Sequence, residues 1–199
     1  MAKRKSPIPL PVDTTDEKLV SAVLSGENIY FAEIFRRYQK KLFLYLRHLI
    51  GANDETEDLL QNVFTKSYEH LDSFDQKRKF SSWIYRISHN EAVNYLKKKS
   101  RRRLVAWEDI VSSKDRMETA DGRDSPEEAW IKEELRQEVE QALERLPKKY
   151  EEILVLRYFL DKSYTEMSDI TGRPENTVAT LLNRAKKKLL ALLNERRRL

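Results

Sequence analysis

Phe31, Phe35, Tyr38, Leu42, Tyr45 and Leu49 recur along the chain at spacings of three and four residues. An α-helix turns once every 3.6 residues, so such a series lies along one face and seeks burial there; a strand would scatter it over both sides. The same period returns in Leu60, Val63, Phe64, Ser67 and Leu71, again in Ile131, Leu135, Val139, Ala142 and Leu146, and again in Val178, Leu182, Ala185 and Leu189. Only four glycines and six prolines punctuate 199 residues, which leaves long stretches free to stay helical. The chain is expected to be all-α.

The punctuation and charge divide it. Residues 1–15 are basic and read as a disordered N-terminus. Residues 16–100 hold four predicted helices, enough for one bundle-like domain. Thr14 with Glu17 and Asp54 with Glu57 have capping-box spacing, and Gly26 stops the first helix. The fourth helix spans about Phe80 to Lys99, after the polar loop "DSFDQKRK". Residues 104–128 then carry eight acids against three bases, with little periodicity, so residues 101–125 read as an extended acidic linker. Ser125, Pro126 and Glu128 have the spacing of a helix start and open a second helical domain at residues 126–199.

The net charge of +5 matters because it is clustered. "KKKSRRR" (Lys97 to Arg103) holds six positive charges and no negative one, and the end of the chain, from Arg184, is also basic. Such clusters fit nucleic acid or an anionic surface, or a solvated run. No signal-peptide core or membrane-length apolar run is present, so a soluble, cytoplasmic protein is expected, with no membrane contact. The absence of cysteine excludes a disulfide framework and cysteine-ligated zinc. His48, His70 and His89 lack metal-ligand spacing, and no glycine-rich phosphate loop or Ser/His/Asp pattern stands out. Neither an enzyme nor a metal or cofactor site is expected, and the many carboxylates read mostly as solvent faces.

The stretch "SYTEMSDITGRPENTVATLLNRAKKKL" carries the sharpest signal. Tyr164, Met167 and Ile170 mark the inner face of a short helix, Gly172 suits a left-handed turn, and Pro174 pre-sets the next helix. That helix presents Glu175, Asn176, Ala179, Thr180, Asn183 and Arg184 outward, followed by lysines. A helix-turn-helix of this kind places its second helix in a major groove and its basic end on phosphates. In the first domain, Trp83, Asn90, Asn94, Lys97 and Arg101 fall near one helix face. An aromatic ring, two amides and then cations can stack an exposed base, bond its edge and hold the backbone; a core tryptophan with ordinary surface amides has the same spacing.

"DLLQNVFTKSYEHLDSF" followed by "FSSWIYRISHNEAVNYLKKKSRR" resembles the second conserved region of bacterial extracytoplasmic-function (ECF) sigma factors. "ALERLPKKYEEILVLRYFLDKSYTEMSDITGRPENTVATLLNRAKKKL" resembles their fourth region. The resemblance implies a dissociable subunit, monomeric when free, that brings core RNA polymerase to promoter DNA. Asp58, Gln61, Asn62 and Phe64 would meet the polymerase β′ clamp helices. Phe74, Trp83, Asn90 and Asn94 would take the minus-ten element, with Asn90 at the position that captures a flipped base, and Lys97, Lys98, Arg101 and Arg102 would hold phosphates. The second domain would touch the β flap and read the minus-thirty-five element through Arg173, Glu175, Asn176, Thr177, Ala179, Thr180, Asn183, Arg184 and Lys187. An anti-sigma factor is a common partner in the family.

The chain departs from the family at Ala179 and Leu181, where a basic residue is usual, and at Thr171, where leucine is usual. The departure implies a weak or unusual upstream preference, with Leu181 on a thymine methyl or on another protein. A stand-alone helix-turn-helix regulator is the rival reading, and it leaves the first domain's motifs without a role.

Overall fold

The computed structural model describes residues 14–51, 54–103 and 136–196. The described residues contain no strand. They form α1 (Asp16–Leu24), α2 (Tyr30–Ile50), α3 (Glu55–Glu69), a 3-10 turn (Leu71–Ser73), α4 (Phe80–Arg103) and α5 (136–144). After these come α6 (Lys148–Leu154), a π-helical turn (Val155–Phe159), α7 (Tyr164–Thr171) and α8 (Glu175–Arg196). Most of the basic N-terminus, the acidic stretch, the Ser125–Pro126–Glu128 start, Ile131 and Leu135 lie outside the described residues, as do the side chains of Arg101 and Arg102.

The long stripe read from the sequence makes α2 the axis of the fold. Tyr38, Leu42, Tyr45 and Leu49 are buried, joined by Leu46, and α2 packs against α1, α3, α4 and α6. Burying each such side chain contributes roughly 1.5–3 kcal/mol. The first members of the stripe depart from it. Phe35 is 40% exposed and lies on Phe64 at 4.5 Å, while Phe31 meets Tyr68 edge-on at 5.0 Å. They form an aromatic edge rather than core, packed on Phe64 and Tyr68 of α3.

Neither capping box expected in the first domain forms. Thr15, not Thr14, precedes α1, and the Thr15 side chain makes no cap bond. Glu17 instead accepts a hydrogen bond from the backbone N–H of Phe80 at 3.0 Å, satisfying the first donor of a different helix. Asp54 sits in helical backbone geometry (φ −62°, ψ −21°) and makes no side-chain cap bond; a cap requires extended backbone that aims the oxygen back at the helix.

The two predicted groups of helices share one apolar core. α6 lies against α2 and α7 lies against α4, and Ile153, Leu156 and Met167 belong to the same buried cluster as Leu42 and Tyr85. Two adjacent glutamates cross this junction, Glu151 at 1% and Glu152 at 3% exposure, where solvent faces were expected. Glu152 Oε1 accepts from Tyr45 Oη at 3.0 Å and lies 2.5 Å from His89 Nδ1, while its Oε2 accepts from Arg173 at 3.1 Å. Glu151 contacts His48 Nδ1 at 3.2 Å and Lys148 Nζ at 2.8 Å, and Lys148 also donates to the His48 carbonyl. A charge this deep survives only when every oxygen has a partner. Burial opposes ionisation of Glu152, but bonds and charge from His89 and Arg173 outweigh it and hold the carboxyl below the usual range.

Glu152→Ala is expected to destabilise the protein by about 3–5 kcal/mol in denaturant unfolding, since His89, Arg173 and Tyr45 lose a shared buried partner. A depressed carboxyl stabilises the fold above its unfolded value and loses that contribution as pH falls through its folded value. Stability should therefore drop once the pH passes below the ordinary glutamate value of 4.5, and Glu152→Gln should flatten that acid limb.

Candidate nucleic-acid interface

The loop between α3 and α4 ends in a walled cavity. Phe74 leaves the 3-10 turn with extended backbone, and its ring packs on Phe80 and Trp83, each at 5.5 Å. The turn that follows is fixed by Asp75, whose carboxylate accepts from the Lys77 N–H at 3.0 Å and whose carbonyl accepts from the Arg78 N–H at 2.9 Å. Between this loop and the start of α4 lies a cavity of about 290 Å³, lined by Ser73, Phe74, Asp75, Arg78, Lys79, Ser82, Trp83 and Arg86, with Asp169 of α7 at its edge. That is close to the lower bound of ~300 Å³ for small-molecule sites, a size for one flat ring rather than a large ligand. Ser82 lines it, but its Oγ is buried beneath the surface, without a hydrogen-bond partner. An aromatic wall and three cations can stack a base and neutralise its phosphate.

From the cavity a polar stripe runs along α4. Trp83, Arg86, Asn90, Asn94 and Lys97 follow one another at spacings of three and four, and all but the half-buried Trp83 are exposed, as is Lys98. Asn90 stands beyond the cavity rather than in its lining. Sequence reasoning identified Phe74 and Trp83 but missed Arg78, Ser82 and Arg86. Arg86 was detectable, since it falls between Trp83 and Asn90 on the face already singled out. Arg78 and Ser82 were not, because only the fold of the loop turns them toward Trp83.

The helix-turn-helix has the expected geometry. Ser163 and Glu166 form a capping box at the start of α7. Gly172 ends that helix in the left-handed region at φ 68°, and Ser168 Oγ donates to the Arg173 carbonyl at 2.7 Å. Tyr164, expected inside, is 40% exposed, whereas Met167 and Ile170 are buried. Thr171 is buried too, its hydroxyl donating to the Met167 carbonyl at 2.8 Å, so a polar residue satisfies itself at a position inside the turn. On α8, Glu175, Asn176, Thr177, Thr180, Asn183, Arg184 and Lys187 are exposed, and Ala179 is half-buried. Leu181 is half-buried and packs against the protein's own core. Arg173 is turned inward to Glu152.

On α3, Asp58, Gln61 and Asn62 are exposed, but Phe64 is buried beneath Phe35. The aromatic groups that this face presents are Phe35 and Tyr68. Among the described residues, no group of three or more His, Asp or Glu could hold a metal ion, and no helix is long and apolar enough to cross a membrane.

Comparison with known proteins assigns both halves. The family model for Sigma-70 region 2 matches residues 34–102, and that for Sigma-70, region 4 matches residues 136–189. Over 190 residues the chain is 31% identical to the ECF RNA polymerase sigma factor SigW of Bacillus subtilis (strain 168), covering 90% of this chain and 97% of that protein. The chain belongs to the ECF RNA polymerase sigma factors.

It is also 32% identical to the ECF RNA polymerase sigma-E factor of Escherichia coli (strain K12) over 174 residues, covering 86% of this chain and 91% of that one. The fold is shared with the sigma factor RpoE of Bartonella quintana, solved with the anti-sigma factor NepR, at a TM-score of 0.68 and 22% identity over 82% of this chain and 96% of that one. A sigma factor accounts for both matched regions, and an independent helix-turn-helix regulator accounts for one. In this sigma factor the aromatic cavity and the α4 stripe lie in region 2, and α7 and α8 lie in region 4.

The turn between α7 and α8 is sensitive at one atom. A side chain on Gly172 would meet open space but would have to adopt left-handed backbone, costing roughly 1–2 kcal/mol. Gly172→Ala should therefore lower stability by about that amount in denaturant unfolding, and Gly172→Asn, which tolerates that conformation, should lose less.

Proposed function

We propose that this sigma factor melts and reads the minus-ten element with the region 2 cavity and the α4 stripe. A flipped base stacks in the cavity on the half-buried Trp83 ring, which Phe74 supports from behind. Asn90 holds the base that follows, and Asn94, Lys97, Lys98, Arg101 and Arg102 track the strand. The observation that carries this reading is the aromatic cavity at Phe74 and Trp83 rimmed by Arg78, Lys79 and Arg86. Flipping a base costs a few kcal/mol, and stacking contributes ~1–3 kcal/mol per base, so the site can open DNA by binding alone. It performs no chemistry of its own and works in the cytoplasm, where core polymerase and template meet.

Core polymerase docks on α3 through Asp58, Gln61 and Asn62, with Phe35 and Tyr68 as the apolar contact and Phe64 as their support. The contact is with the β′ clamp helices, and region 4 reaches the β flap. The outward face of α8 carries Glu175, Asn176, Thr177, Thr180 and Asn183 but no cation before Arg184. It therefore lacks the arginine that reads guanine bidentately, and upstream discrimination is lower by about 1–3 kcal/mol per missing pair. Promoter choice leans on region 2, since tethering both regions to one polymerase tolerates a weak second contact. An anti-sigma factor or other recruiting protein is the partner expected to regulate it.

Trp83→Ala and Asn90→Ala should each reduce run-off transcription by roughly ten- to a hundredfold, matching ~1–3 kcal/mol of lost stacking or edge bonding. Titration against core polymerase should be unchanged. Full transcription, or an equal loss in both assays, would remove these residues from the DNA.

Lys97→Ala with Lys98→Ala should weaken promoter binding by the holoenzyme without altering base preference. The slope of log affinity against log salt should fall by about 0.9 for each contact on duplex, or about 0.7 on a single strand. An unchanged slope would show that neither lysine meets a phosphate.

A further inference from the structure

We propose that Glu17 of α1 is a positioning residue for the minus-ten site. It fixes the first turn of α4 and, through that turn, the Trp83 ring on which the base stacks. The proposal rests on the assignment of that cavity to DNA. It places part of the site's geometry in a helix that precedes the matched Sigma-70 region 2, residues 34–102.

The start of α4 lacks a local capping acid. Lys79, the residue before it, carries only donors on its side chain, and the first turn of the helix holds no acid. In the loop, the Asp75 carboxylate is already engaged by the Lys77 N–H. Glu17 reaches this end from 63 residues away, and its Oε1 accepts from the Phe80 N–H at 3.0 Å. It therefore supplies both the acceptor and the negative charge that favour a helix start.

What that turn carries makes its placement matter. Phe80 and Trp83 lie one turn apart with their rings at 5.6 Å, and Phe74 packs on both. Phe80 is fully buried and also meets Tyr38 edge-on at 5.8 Å. The Tyr38 hydroxyl donates to Asp16, the neighbour of Glu17, and Arg37 ties Asp16 back to α2 at 2.8 Å. Adjacent acids of α1 thus hold Phe80 twice, Glu17 by its backbone and Asp16 through the Tyr38 ring. The other charged contacts to this stretch are weaker. Arg78 donates to Asp169 at 3.5 Å and Lys79 to Glu166 at 3.3 Å, but their side chains are 62% and 70% exposed, and screened pairs contribute little. A site already in its binding geometry loses less of its contact energy to ordering. Freeing the first turn of α4 therefore weakens base binding without removing any group that touches the base.

The test uses the full chain assembled with core polymerase. Glu17→Ala should bind a single-stranded minus-ten oligonucleotide roughly tenfold more weakly, within the range of a lost helix cap. Titration against core polymerase should be unchanged. Glu17→Gln, whose amide oxygen can still accept, should restore most of the affinity. Val20→Ala trims a fully buried side chain of the same helix; it should lower stability and leave oligonucleotide affinity intact, which separates positioning from general loss of fold. A second readout is local. Trp107→Phe with Trp130→Phe leaves Trp83 as the only tryptophan. In that background Glu17→Ala should raise acrylamide quenching of Trp83 in the free chain, and Val20→Ala should not. Unchanged affinity and quenching in Glu17→Ala, a Glu17→Gln chain as weak as Glu17→Ala, or an equal loss in Val20→Ala would overturn the positioning. If Trp83→Ala halts promoter opening while Glu17→Ala changes neither readout, the cavity assignment stands and only the positioning falls. If Trp83→Ala leaves opening intact, the assignment fails and the role of Glu17 in DNA binding fails with it.

Discussion

A carboxylate with almost no access to water holds the two halves of this protein together. Glu152 accepts from Tyr45 of α2 and Arg173 beside α8, and touches His89 of α4, so three elements meet on two oxygens. A buried charge is tolerated only where its partners are complete, which makes the arrangement selective: removing any one group leaves the others uncompensated. The apolar core supplies most of the favourable free energy but has no direction. The buried charge network gives the junction its register.

That register explains the placement of the functional groups. With α6 seated on α2, α7 comes to rest along α4, and its two acids arrive beside the loop cations. The same loop is braced from the other side by Phe74, Phe80 and Trp83, which stack on one another, and by Glu17, which holds the first N–H of α4. The cavity is therefore shaped by three separate parts of the chain.

Sequence and structure part where a residue's partner is distant. The stripe on α2 was legible as far as its period, and Tyr38, Leu42, Tyr45 and Leu49 are buried as the period requires. Phe31 and Phe35 obey the same period yet stay at the edge, because periodicity states which residues share a face and not how far the neighbouring helices extend. Gly172 was legible from its turn alone, since left-handed backbone is a local demand. The helix caps were misread for the opposite reason: Glu17 has cap spacing in the sequence but finds a donor 63 residues away.

What the sequence determined by itself is therefore local. It specified the helical period, the turn at Gly172, the outward polar face of α8 and the clustered positive charge, and its two motif-bearing stretches sufficed to indicate the family. The tertiary structure alone decided that two of many surface-like glutamates are buried, that Arg78, Ser82 and Arg86 line one cavity, that Phe64 supports a face instead of forming it, and that Leu181 packs partly buried against the core. Each of these depends on contacts between elements far apart in the chain, such as the 107 residues separating Tyr45 from Glu152. A one-dimensional pattern records how often a side chain returns to a face. It does not record which face, from which distant helix, will be waiting there.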